Sequence, residues 1–105
     1  MDLELTRQLL KKLLETKGIG LPMASTILRF KNPNVYQIID QRAYRIINKE
    51  KLTIPANIEK QIDLYIAYLN QLKEVSKMKG IRFSQSDRIL YWTDKTINRK
   101  VPIKY

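Results

Sequence analysis

The stretch Lys17-Gly18-Ile19-Gly20-Leu21-Pro22-Met23-Ala24-Ser25-Thr26-Ile27-Leu28 holds the residues whose types and spacing come closest to a defined chemistry. Two glycines around one apolar residue allow a tight hairpin between helices, and a backbone without Cβ atoms lets another chain approach closely. Ile19 between them is placed to plug into a core and pin the turn. Pro22 suits the first turn of the second helix, where its missing N–H costs nothing. The other backbone N–H groups there have no intrahelical acceptor. Together with the helix dipole, they suit an anion such as a phosphate. Lys17 stands at the turn. The hydroxyls of Ser25 and Thr26 lie in the first turns of the helix, within reach of phosphate or of their own backbone. Gly-x-Gly by itself fits an ordinary αα-hairpin with a glycine C-cap equally well.

Asp40-Gln41-Arg42-Ala43-Tyr44-Arg45 is the second group. Asp40 reads either as the N-cap of a helix or as a carboxylate that stabilises a developing positive sugar or activates water. Arg42 and Arg45 read as phosphate contacts or as partners of Asp40 or Glu50. Lys95, Arg99, Lys100 and Lys104 follow one another with no intervening acid, either a tail that neutralises phosphate or a solvated end. Tyr36, Tyr44, Tyr65, Tyr68, Tyr91 and Trp92 are available for stacking on bases or for packing a core and its rim.

Composition narrows the chemistry. The 105 residues include neither cysteine nor histidine. No disulfide, thiolate metal site or Ser-His or Cys-His pair is therefore expected, and neither a metal nor a cofactor is called for. Lys and Arg outnumber Asp and Glu by 20 to 10, for a net charge of +10. That excess on so small a body attracts polyanions, nucleic acid first among them, or docks onto an acidic partner. No apolar run approaches the roughly 20 residues needed to span a bilayer, so no membrane association is expected. The expected location is cytoplasmic.

These groups need helices to place them. Leu5, Leu9 and Leu13, with Leu10 and Leu14, give one apolar face to a helix over Leu3–Glu15, stopped by Lys17-Gly18. In the second helix Ala24, Ile27, Leu28 and Phe30 form the inward side. Asp40 then opens a helix over Gln41–Asn48. Pro55 marks the start of the longest one, which runs to Lys79 with Ile58, Ile62, Tyr65, Leu69, Leu72 and Ser76 inward. Gly80 closes it. Ser84-Gln85-Ser86-Asp87 resembles a capping box for a last helix over 85–97 that buries Ile89, Leu90 and Trp92. The expected fold is all-α: about five helices in one domain over residues 1–97, with the helix-hairpin-helix at 9–30 and a basic tail over 98–105.

Gly18-Ile19-Gly20, followed by Ala24 and Ile27-Leu28, resembles the helix-hairpin-helix signature of DNA repair proteins. Ile38-Ile39-Asp40-Gln41-Arg42-Ala43-Tyr44-Arg45-Ile46 is similar to the segment that carries the catalytic aspartate in helix-hairpin-helix base-excision glycosylases. Asp40 lies 22 positions after Gly18, which resembles that family's spacing, as does Arg45 five positions after the aspartate. Tyr65–Leu72 and Ser86–Leu90 resemble a set of uncharacterised bacterial proteins with the same hairpin, which implies no activity. The chain departs from the glycosylases in several places. Pro22 stands where lyase-type members carry lysine, and Gln41 and Arg42 stand where threonine and histidine are usual. Iron–sulfur cysteines are absent, and only 17 residues precede Gly18.

Hairpin, charge excess and resemblance together lead to the expectation of non-sequence-specific binding of double-stranded DNA through Lys17, Gly18, Gly20, Ser25, Thr26, Arg42 and Arg45, in an accessory role in repair, recombination or defence against foreign DNA. The alternatives are a minimal glycosylase using Asp40, completed by a partner subunit or a homo-oligomer, and a basic protein-interaction domain. No catalysis is expected of the isolated chain.

Overall fold

In a computed structural model, the chain is described over residues 1–98. Its helices are α1 (Leu3–Glu15), α2 (Leu21–Lys31), α3 (Gln41–Asn48), α4 (Ile58–Lys79) and α5 (Ser86–Ile97), with a 3-10 turn at Phe83–Gln85 before α5. No strand occurs among the described residues, and the all-α class holds. The expected tail positions Arg99, Lys100 and Lys104 lie outside the described residues.

α4 is the spine. Ile62, Tyr65, Leu69, Leu72 and Ser76 are all buried and Ile58 is partly so, as the four–three spacing requires. Tyr68 joins them on the widened stripe. The helix begins later than Pro55 suggests. Asn57 is its N-cap and accepts the Lys60 N–H at 3.0 Å, because a side-chain acceptor fixes a start that Pro only permits. Gly80 ends it in the left-handed conformation (φ 66°).

α1 packs on α4 and α2, and α3 packs chiefly on α5. α1 buries Leu10 fully and Leu9, Leu13 and Leu14 partly, while Leu5 stays half exposed. Buried Thr6 is satisfied by the Tyr36 hydroxyl at 2.8 Å.

The irregular segment between α2 and α3 runs through the interior, with Tyr36, Gln37 and Ile39 buried. Backbone buried outside a helix must find partners elsewhere, and Gln37 organises them. Its amide donates to the carbonyls of Pro33 and Tyr36 at 3.0 Å. Its side-chain oxygen accepts the Asp87 N–H at 3.0 Å, and its carbonyl accepts the Tyr65 hydroxyl at 2.7 Å.

Two expected faces are corrected. Phe30 is 90% exposed at the end of α2. On α5, Leu90 is buried, but Ile89 and Trp92 point outward and Ser86, Asp87 and Asp94 point inward. The helix has turned its acids, not its aromatic, into the protein. Nor does a capping box form: no side chain caps α5, because Asp87 reaches instead to the Ile38 N–H at 2.8 Å and to Arg29.

Candidate nucleic-acid interface

α1 ends at Thr16, whose N–H donates to the Leu13 carbonyl at 3.1 Å. The chain then closes a four-residue turn in which the Ile19 N–H donates to the Thr16 carbonyl at 3.1 Å. Gly18 is the third residue of that turn and has φ +87°, a conformation that L side chains rarely adopt. Ile19 packs partly buried against the core, so the turn is pinned from below as its sequence anticipates. Lys17, Gly18 and Gly20 are exposed around it.

The N-terminus of α2 differs from those of its neighbours. α1, α3 and α4 are each capped by a side chain: Asp2 on the Leu5 N–H, Asp40 on Ala43 and Asn57 on Lys60. α2 has Gly20 as N-cap, no side-chain cap and no acid in its first turn. Gly20 adopts φ −94° and ψ 177°, ordinary extended backbone, and a Cβ there would meet nothing closer than Pro22 Cδ at 3.9 Å. Gly18, not Gly20, is therefore the position that needs glycine for its conformation. What glycine at 20 contributes is an uncharged N-cap without a Cβ ahead of exposed Met23; Leu21 between them is buried.

The hydroxyls divide. Ser25 is buried; its Oγ donates to the Pro22 carbonyl at 2.8 Å and accepts the Ile39 N–H at 3.1 Å. That corrects its assignment as a phosphate contact, since the hydroxyl joins α2 to the segment entering α3. Thr26 is exposed and donates to the Pro22 carbonyl at 2.9 Å.

Arg42 and Arg45 converge on Asp94, a carboxylate that the sequence did not single out. Arg42 Nη1 and Arg45 Nη2 each donate to Asp94 Oδ2 at 2.9 Å, Arg45 Nε donates to Oδ1, and Asn98 Nδ2 donates to Oδ1 at 2.9 Å. Burial alone would push this carboxyl up, but the hydrogen bonds from Arg45, Asn98 and Arg42 outweigh it, so Asp94 stays below the usual carboxylate range. Both arginines thus serve the α3–α5 joint, the ion-pairing one of their two readings but with Asp94 as partner: withdrawing them would strand a buried charge.

Asp40 takes the capping role, accepting the Ala43 N–H at 2.7 Å. Its carboxyl is raised, first by burial and further by the charge of Asp87, against the lowering effect of the Ala43 N–H. Lys95 is exposed and lies 5.3 Å from the ring centroids of both Tyr91 and Trp92. Among the described residues no group of three or more acidic side chains is gathered to hold a metal ion, and no helix is long and apolar enough to cross a membrane.

Two signals for the buried acids stand in the sequence. Asp87 and Asp94 are seven residues apart, two helical turns, with Leu90 between them on the same stripe. Arg42 and Arg45 are spaced to share one face of α3. Compared with family models, curated proteins and solved structures, the chain finds no match.

Proposed function

We propose that this chain is a non-sequence-specific DNA-binding module that grips the phosphate backbone of a duplex with the α1–α2 hairpin. The observation that carries the reading is the selective bareness of α2. Three other helices close their N-termini with Asp or Asn, and α5, also without a side-chain cap, carries Asp87 in its first turn, whereas α2 has glycine, no cap and no acid. An anion supplies what the sequence withholds, facing the exposed Met23 amide and the positive end of the dipole, since Pro22 has no N–H, Leu21 is buried and the Ala24 N–H already bonds the Gly20 carbonyl. Lys17 adds a cation beside the turn, and the net charge of +10 supplies long-range attraction. Backbone amides grip phosphate without reading bases, so affinity follows charge and salt rather than sequence. An accessory role in repair, recombination or foreign-DNA defence fits a module of this kind.

The test is Gly20→Asp. It provides the missing cap, which is stabilising or neutral for the fold, and places a negative charge where the phosphate would lie. Loss of duplex binding with an unchanged or raised melting temperature supports the reading. Unchanged duplex affinity in this variant overturns it.

A further inference from the structure

We propose that the outer face of α5 is a second site, one that stacks an unpaired nucleobase on Trp92 and holds the adjoining phosphates with Arg88 and Lys95. Trp92 is 62% exposed, Ile97 70% and Ile89 40%, an outlay of apolar surface that the core does not use. With Arg88, Thr93 and Thr96 they line a groove of about 510 Å³. Of the chain's tyrosines, Tyr36, Tyr65 and Tyr68 are buried. Tyr65 and Tyr68 also donate their hydroxyls to the carbonyls of Gln37 and Ile38. Tyr44 is partly buried and packs against Tyr68 with ring centroids 6.2 Å apart. Tyr91 stands edge-on to Trp92 at 6.0 Å and Lys95 Nζ lies over the indole 5.3 Å from its centroid, while 62% of the residue stays exposed.

Charge selects the occupant. Both acids of α5, Asp87 and Asp94, are buried and paired with Arg29, Arg42 and Arg45. The outward side therefore presents cations alone: Arg88 at one end and Lys95 beside the rings. A second copy would bring these cations against their own kind. A polyanion with flat apolar faces fits both properties, and single-stranded nucleic acid has both, since bases stack on aromatics while the backbone tracks basic side chains. This site takes unpaired strands and is independent of the duplex grip at the hairpin.

Trp92 is the chain's one tryptophan, so its emission reports on the site directly. The full chain is titrated with short oligothymidylate, oligouridylate and, as an anion without bases, polyphosphate. Quenching by the oligonucleotides and not by polyphosphate is expected, and the tighter of the two oligonucleotides identifies DNA or RNA as the source. Trp92→Ala should weaken single-strand binding roughly tenfold and Trp92→Phe should retain most of it. Both variants should melt with the wild type, since the side chain is largely exposed. Equal quenching by polyphosphate, or a Trp92→Ala affinity within about twofold of wild type, overturns the proposal. So does quenching by an acidic amphipathic peptide where the oligonucleotides give none, which would assign the face to a protein. Gly20→Asp separates the two sites: it should abolish duplex binding and leave the single-strand quench in place.

Discussion

Asp94 of α5 receives Arg45 of α3 through both carboxylate oxygens, from Nε to Oδ1 and from Nη2 to Oδ2. The fork matches the planar carboxylate, and with Arg42 on Oδ2 and Asn98 on Oδ1 the buried charge is fully surrounded by donors. This joint fixes how α5 rotates against α3, and hence which of its residues meet solvent.

Asp94→Asn should cost about 3 kcal/mol of stability at neutral pH, because two guanidinium groups lose their buried counter-charge. Urea unfolding measures it. The sign with pH follows from the lowered carboxyl. Asp94 contributes stability above its ordinary value of 3.8 and loses it as pH falls through its folded value. The wild type should therefore weaken below about pH 4, while Asp94→Asn changes less over the same range.

Asp40 behaves in the opposite sense. Its carboxyl is raised in the fold, so its contribution is present below 3.8 and is lost as pH rises through the folded value. Asn caps a helix about as well as Asp and carries no charge. Asp40→Asn should therefore melt at or above the wild-type temperature at pH 7 and keep its duplex affinity. A pair of thermal melts, at pH 7 and at pH 4, tests the sign.

Ser25→Ala should be destabilising, by about 1–3 kcal/mol, since the Ile39 N–H is left buried without its acceptor. The folded variant should bind duplex DNA as the wild type does. A chemical denaturation curve alongside a binding isotherm separates the two effects.

Gly18→Ala should cost about 1–2 kcal/mol, the penalty of a Cβ in the left-handed region. Gly20→Ala should cost less, since its φ of −94° is ordinary and the added Cβ has room. Comparative melting of the two single variants decides it.

Duplex binding by the wild type should fall steeply with salt and vary little among unrelated sequences. Fluorescence anisotropy with a series of duplexes at fixed salt, then across a salt series, gives both readings.

The sequence by itself determined the elements and the hairpin. Leucine spacing, Gly18, Pro22, Asp40 and Gly80 act through contacts within a few residues, and such local rules place the ends of α1, α2, α3 and the C-terminus of α4 where they stand. The α4 stripe was legible for the same reason, since apolar residues every three or four positions over 22 residues admit one inward face. The direction of α5 was not. Hydrophobicity alone turns Ile89 and Trp92 inward, but Asp87 and Asp94 take that side because Arg29, Arg42 and Arg45 arrive from α2 and α3. Ser25 likewise looked outward until the buried Ile39 N–H claimed its oxygen. A buried polar atom must be satisfied, and its partner here lies from 14 to 58 positions along the chain, beyond the reach of any local pattern. Only the tertiary structure brings such partners together, and in doing so it pushed the chain's one tryptophan out to solvent.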